Sequence, residues 1–266
     1  MSSNNAASVQ RAHPPLLGRI LSVWYRHYRV YTKSLVSNGL PPFLEPLIFL
    51  AGTGLGMSKY VASMDGMPYI VFLATGLPLT AAMFTAAFEC TFGTFIRLEF
   101  DKVYDGMLAS PITANDLLVG EIFWAGTKGL FFSMAVIAVE AAFGIVPMPG
   151  TLLCGAVGFL TGVMFASISF LVTSIVSNIN QFNFYFTGFL SPMFFFSGVV
   201  FPIENLPPAL RPVAEIFPLT HSVRLARDVG RLAISAQAGI DLLFIAGFTV
   251  IAGYFGIRRL KRKLIQ

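Results

Sequence analysis

Apolar runs of about twenty residues recur along this chain, and no other feature limits its fold as strongly. The runs fall at roughly 38–58, 68–92, 117–143, 151–177, 182–202 and 238–257. A helix rises about 1.5 Å per residue, so each run matches the roughly 30 Å hydrocarbon layer of a bilayer. Of the 266 residues 55% are hydrophobic and only 12% are charged, about half the charge of an ordinary soluble domain. Too little polar surface remains to keep a large soluble core in water. The expected class is an all-α polytopic membrane protein with six transmembrane helices. Phe supplies 27 residues, which suits lipid-facing and helix-packing surfaces. Pro41 and Pro42 blur the start of the first span, because proline breaks helical hydrogen bonding.

The net charge of +5 is concentrated at the two ends. Arg11, Arg19, Arg26, Arg29 and Lys33 precede the first span, and Arg258, Arg259, Lys261, Arg262 and Lys263 crowd the C-terminus. Cations that flank apolar segments are the positive-inside pattern, not a nucleic-acid footprint, so no nucleic-acid partner is expected. Six spans then put both termini in the cytoplasm of a bacterial cell, with the chain in the inner membrane. Arg211, Arg224, Arg227 and Arg231 argue the other way, since this topology puts them outside, where Glu204, Glu215, Asp228 and Asp241 offset them. Residues 1–34 read as a tail with an amphipathic helix, and 35–266 as the transmembrane domain. Leu17, Ile20, Leu21, Trp24, Tyr28 and Tyr31 recur at helical spacing, with Arg19, Arg26 and Lys33 on another face. Trp and Tyr favour the headgroup layer and cations favour anionic lipid, so this helix is expected to lie on the cytoplasmic leaflet. The first 40 residues hold no apolar stretch ending in a small-residue cleavage site, so no cleavable signal peptide is expected.

Two polar stretches interrupt the spans. Phe100, Val103, Tyr104, Met107 and Leu108 make an apolar stripe, with Glu99, Asp101, Lys102 and Asp105 around it. This predicts a short amphipathic helix over 97–110, stopped by Pro111. Thr113 and Asp116 have capping-box spacing for the next span. Such a helix either docks into a groove on a soluble partner or rests on lipid. Further on, Pro202, Pro207, Pro208, Pro212 and Pro218 punctuate two short helices near 206–216 and 219–233. They read either as a lid at the outer mouth or as a folded external loop. Gly158, Gly162, Ala166, Ser169, Thr173 and Ser177 give the fourth span a small-residue face suited to close helix packing.

No catalytic or metal-binding constellation is present. The chain lacks G-x-x-x-x-G-K-[ST], H-E-x-x-H and G-x-S-x-G. His13, His27 and His221 are scattered, and Cys90 and Cys154 lie far apart in apolar stretches. Energetic work must therefore draw on a partner or an ion gradient. Glu45, Glu89, Glu121, Lys128 and Glu140 lie in or at the ends of spans, where ionisable groups are costly and often functional. Lys128 is the deepest, about 10 Å of helix rise from Glu121 on a similar face. Lys128 is expected to pair with one of these glutamates, Glu121 being the candidate on its own helix, either structurally or as part of a proton relay. The aromatic run from Phe182 to Phe201 either lines a route for an apolar or glycosidic substrate or faces lipid.

Taken together, several stretches resemble the membrane subunits of type 2 ABC exporters across nearly the whole chain. F-S-G-V-V-F-P-I-E-N-L-P-P-A-L (Phe196 to Leu210) with P-L-T-H-S-V-R-L-A-R (Pro218 to Arg227) is similar to the family's C-terminal signature. A-S-P-I-T-A-N-D-L-L-V-G-E (Ala109 to Glu121) is similar to its coupling region. F-E-C-T-F-G-T-F (Phe88 to Phe95), G-E-I-F-W-A-G-T-K (Gly120 to Lys128) and L-E-P-L-I-F-L (Leu44 to Leu50) look like the nodulation protein J branch. That branch exports lipo-chito-oligosaccharide signals with a nodulation protein I type ATPase.

The resemblance implies a homodimer bound to two copies of a cytoplasmic ABC ATPase, with ATP and Mg on that partner and no cofactor on this chain. It makes the N-terminal helix a connector and the helix over 97–110 a coupling helix, which meets the ATPase through Phe100, Asp101, Tyr104, Asp105, Met107, Leu108 and Pro111. It makes the later short helices re-entrant, with an outer gate at Phe196, Gly198, Phe201, Pro202, Pro218 and His221. The implied function is a permease subunit that exports a large amphiphile, a lipo-oligosaccharide or related glycolipid, while in contact with membrane lipid. A hydrophobic-drug efflux permease and an ion-coupled secondary transporter are the alternatives.

Overall fold

In the computed structural model, which describes residues 14–146, 150–233 and 235–265, the apolar runs become helices that cross one body from end to end. Arg11 of the basic tail, His13 and residues 147–149 lie outside the described residues. Helix α1 (Leu16–Thr32) buries only Val23 and His27 and leaves Leu17, Leu21, Tyr25 and Tyr28 exposed, as suits a helix lying in a headgroup layer. Helix α2 (Leu35–Leu55) starts before the expected position and carries Pro41, Pro42 and Pro46 inside it. Each proline removes a backbone donor, and the helix widens into a π-helical turn over Leu50–Leu55. Most of its surface is uncovered, Glu45 and Ile48 included.

A hairpin that the all-helical expectation omits comes next. Strands β1 (Ser63–Met64) and β2 (Met67–Pro68) pair antiparallel, with Met64 opposite Met67. Asp65 and Gly66 turn the chain with φ of 49° and 72°, the geometry of a two-residue type I′ turn, which Asp-Gly favours.

Helix α3 (Tyr69–Phe100) runs past its expected end, widened by π-helical turns at Glu89–Gly93 and Ile96–Phe100. The single helix predicted over 97–110 is therefore not formed. Phe100 closes α3, Asp101 is a bend, and Lys102 takes a left-handed conformation (φ 52°) before α4 (Val103–Leu108). That conformation costs about 1 kcal/mol, while burying an aromatic ring stabilises by about 2 kcal/mol or more. The kink wins because it re-aims the chain: Tyr104 is fully buried while Phe100 stays 63% exposed.

Helix α5 (Ala114–Ala142) opens on the expected capping box, with Thr113 Oγ1 accepting from the Asp116 backbone and Asp116 Oδ2 accepting from the Thr113 backbone. Helix α6 (Gly150–Ile175) returns along it at the center of the body, touching α3 and α5. Its small-residue face permits this contact, since a Cβ on Gly129 would lie 2.7 Å from the carbonyl of Gly158.

Helix α7 (182–196) occupies the expected fifth span but stops at Ser197-Gly198, where Gly198 takes φ 80°. Its length corresponds to about 22 Å of rise. Five helices among the described residues are long and apolar enough to cross a membrane, namely α2, α3, α5, α6 and the C-terminal helix. Before the last of these come α8 (Arg211–Ile216) and α9 (Pro218–Gly230), each with proline in its first turn, a position that tolerates the missing donor. α9 is no surface loop. Pro218 to Val223, Leu225 and Ala226 are buried against α6 and α10 (Ala236–Ile265).

The four arginines that oppose the expected topology are all engaged. Arg211 Nε donates to the Leu206 carbonyl (3.0 Å), Arg224 pairs with Asp241 (2.8 Å) and Glu215 (2.9 Å), and Arg231 pairs with Asp65 (2.9 Å). Arg227 is held by Thr75 Oγ1 (3.0 Å) and the carbonyls of Phe72 (3.2 Å) and Gly198 (2.8 Å), with its guanidinium over the Phe72 ring. The hydrogen bonds that Arg224 donates to Asp241 and Glu215 raise its pKa.

Candidate functional site

Close approach of α1 to α5 begins the site. Gly120 leaves room for Val23, whose Cβ would sit 2.7 Å from a Cβ placed there. This brings His27 alongside Glu121, which is completely buried. A buried carboxylate needs partners. Glu121 Oε2 accepts from Arg97 Nη2 and Thr94 Oγ1, both at 3.0 Å, and His27 Nε2 lies 3.0 Å from Oε1.

Arg97, on the last turns of α3, is the hub. Its Nη1 donates to Glu89 Oε1 at 2.8 Å and its Nε to the Tyr104 hydroxyl at 3.2 Å. The other Glu89 oxygen accepts from Lys128 Nζ at 2.8 Å, and that ammonium lies 4.6 Å above the Tyr31 ring. Two glutamates, an arginine and a lysine therefore pair within one network that joins α1, α3, α4 and α5. Burial pushes the Tyr31 hydroxyl up to about 12, with Glu89 adding to the effect. The phenol stays neutral and offers its ring face to the cation.

Lys128 does pair with a glutamate, but with Glu89 and not with Glu121. Glu121 and Lys128 stand two turns apart on one helix, and α3 places Glu89 next to Lys128 and Arg97 next to Glu121. Glu140 takes no part, being buried with neither carboxyl oxygen hydrogen-bonded among the described residues.

Lys128 also faces a cavity of about 650 Å³ between α2, α3 and α7. Ser37, Asn38, Glu45 and Lys128 supply its polar groups, and Phe49, Phe84, Phe88, Phe194 and Phe195 its aromatic wall. Phe49 meets Phe194 edge to face at 5.1 Å. A mostly apolar cleft of this size with a few polar groups suits a small amphiphile or part of a larger one.

The seven residues expected to face an ATPase divide. Tyr104 belongs to the buried network and Met107 and Leu108 are half-buried, while Phe100, Asp101, Asp105 and Pro111 are exposed. The expected outer-gate residues form two groups. The Phe196 and Phe201 rings meet edge to face at 6.4 Å beside Gly198, whose carbonyl takes the Arg227 hydrogen bond, and Pro202 opens the following 3-10 turn. Pro218 and His221 are buried on α9, where His221 Nδ1 lies 2.7 Å from Asp241 Oδ1 and the ring stacks on Phe244 at 3.7 Å. Sequence reading singled out neither Arg97 nor His27 as part of the network, nor Arg227 as the clamp.

Residues 19–229 match the family described as ABC-2 type transporter. The chain is 36% identical over 248 residues to nodulation protein J of Rhizobium leguminosarum bv. viciae, covering 92% of this chain and 95% of the relative. It is 33% identical over 246 residues to nodulation protein J of Sinorhizobium fredii (strain NBRC 101917 / NGR234), covering 92% and 94%. The inner membrane transport permease YadH of Escherichia coli (strain K12) is 19% identical over 234 residues, covering 86% and 91%. Apolar crossing helices around a buried ionic network, together with likeness along almost the full length of these relatives, assign the chain: it belongs to the ABC-2 type transporter family, as a multi-pass permease subunit of a type 2 ABC exporter in the inner membrane.

Proposed function

We propose that the chain forms a homodimer on two cytoplasmic ATPase subunits and exports a large amphiphile, a lipo-oligosaccharide or related glycolipid, with ATP and Mg acting on the partner. One observation carries this reading: an unbroken line of polar contacts runs from Tyr104 through Arg97 and Glu89 to Lys128, which faces the aromatic cavity. Helix α4 takes the push of the closing ATPase, with Asp105 on its exposed side and Asp101 in the bend before it. Tyr104 passes that push to α3 and α5, and the cavity changes its affinity for cargo. Release requires such a difference between conformations.

Further features support the parts of this reading. Glu45 is exposed and is the one charged residue of spanning helix α2, and a charge at that depth is expected to face a partner or a water-filled path rather than lipid. A second copy packed along α2 supplies both. Helix α7 is the sixth crossing, both termini are cytoplasmic and α1 is the connector on that leaflet. Phe196, Gly198, Phe201, Pro202, Pro218 and His221 form the outer gate, which Arg227 holds shut. The cavity pairs a polar end with an aromatic wall, as a sugar headgroup with an acyl tail requires, and the likeness to nodulation protein J suits the same cargo. Lys128 and Glu121 each already hold an opposite charge, which disfavours an ion-coupled cycle.

The test is transport into inverted vesicles that hold the permease and its co-purified ATPase. The expected result is ATP-dependent uptake of a lipo-chito-oligosaccharide, lost when the ATPase is inactivated and unaffected by a protonophore. Uptake that collapses with the proton gradient and ignores the ATPase would overturn the reading. Uptake of a hydrophobic drug but not of the glycolipid would replace the proposed cargo.

A further inference from the structure

Where α3, α6 and α10 finish, at the end of the body that also carries α1, they surround a groove of about 990 Å³, edged by Phe100 and lined by none of the residues of the aromatic cavity. Three cations of the C-terminal cluster line it, against one acid, Glu99. Lys263 is already committed. Its Nζ lies 3.2 Å from Glu99 Oε1, donates to the Val176 carbonyl at 3.0 Å and sits 5.2 Å above the Phe95 ring. This contact neutralises Glu99, the one acid of the groove among the described residues, and ties α10 to the ends of α3 and α6.

Arg259 and Arg262 remain. They lie three residues apart, on one face of α10, and both are exposed, with neither making an ion pair or side-chain hydrogen bond among the described residues. Opposite them, the turn after α6 supplies Ser177 and Asn180. Ile175, the last residue of α6, is 62% exposed and lines the same groove. Two guanidiniums without counter-charges, neutral hydrogen-bonding groups across from them and an apolar ledge thus coincide where three membrane helices end.

We infer that this groove binds the headgroup of an anionic phospholipid, with the phosphodiester between Arg259 and Arg262 and an acyl chain along Ile175. Guanidinium forks match phosphate oxygens, and basic pockets between helices at the cytoplasmic face are suited to acidic lipids. The apolar ledge separates a lipid from free phosphate, which has no use for it. Bound lipid cross-links the ends of α6 and α10, so it stabilises the body without touching the cargo cavity. The inference does not depend on which cargo is moved.

The experiment uses the full chain in neutral detergent, titrated with phosphatidylglycerol, phosphatidylcholine or inorganic phosphate, with bound lipid read by native mass spectrometry and stability by thermal unfolding. Phosphatidylglycerol is expected to fill one tight site and raise the midpoint, and the other two to do neither. R259Q/R262Q should weaken that site about thirtyfold, at roughly fivefold per cation, while R258Q, whose arginine bonds Tyr254, should not. R262Q alone should give an intermediate loss and serves if the double variant elutes aggregated. Equal phosphatidylglycerol binding by wild type and variants would overturn the inference, as would phosphate competing as strongly as the lipid. Unchanged lipid binding with loss of the co-purifying ATPase would overturn it too, by making the groove a protein-docking surface.

Discussion

Arg97 Nε donates to the Tyr104 hydroxyl at 3.2 Å, and this contact fixes the short helix α4 to the charges of α3 and α5. Tyr104 is the one residue of α4 that is completely buried. Any force applied to the exposed side of α4 therefore arrives at Arg97, which holds Glu89 and Glu121 together.

The balance of the network predicts how its charges behave when removed. K128M leaves Glu89 short of a partner in a buried setting and should cost about 3 kcal/mol. The double variant E89Q/K128M removes both members and leaves Arg97 to Glu121, so at least half of that loss should return. Denaturant titration in mixed micelles measures both variants.

Close helix packing gives a second expectation. A side chain at Gly129 would press on the carbonyl of Gly158 and the Cα of Gly162, whereas Gly188 has open space around it. G129L should destabilise by about 3 kcal/mol, and G188A should change the unfolding midpoint little. Thermal unfolding of the two variants in one detergent makes the comparison.

Much of this architecture is legible in the sequence, but in unequal parts. Hydropathy locates the spanning helices because burial in lipid demands an unbroken apolar length, and Thr113 with Asp116 announces the start of α5. The break at Lys102 has no such signal. It exists because burying Tyr104 outweighs one strained residue, and that balance depends on the pocket Arg97 provides. The end of α7 at Gly198 likewise follows from the clamp of Arg227 on its carbonyl. Asp65-Gly66 was a readable hairpin signal, hidden by the apolar residues on either side.

The ionic network was half readable. Glu89, Glu121 and Lys128 stand out as charges in apolar runs, but which cation meets which carboxylate is decided between helices, not along one. Arg97 could have been found, as the one basic residue between Lys59 and Lys102, at the end of the run that carries Glu89. His27 gives no signal, since its partner lies on a helix distant in sequence.

If α4 docks on the ATPase, charge reversal on its exposed side and in the bend before it should weaken the complex. D101K/D105K is expected to reduce ATPase co-purification about tenfold, as two reversed rim charges would, with folding intact because neither residue is buried. Quantitative pull-down at two salt concentrations measures the loss and its ionic character.

Glu45 tests the homodimer. With α2 at the contact between copies, E45C should form a covalent dimer with a short bis-maleimide in native membranes, and I48C should do so less. Dimer yield on a denaturing gel provides the readout, and the absence of any E45C dimer would move the contact away from α2.

The most direct measurement is the number of substrate molecules exported per ATP hydrolysed by Y104F in reconstituted complex. Removing one hydroxyl keeps the ring packed and loses a hydrogen bond to a charged group, worth about 2 kcal/mol. The account predicts that the ATPase still binds and hydrolyses ATP while export per ATP falls about tenfold or more. Export per ATP equal to that of the unaltered protein would contradict it, and α4 would then have to act on the membrane helices by another route.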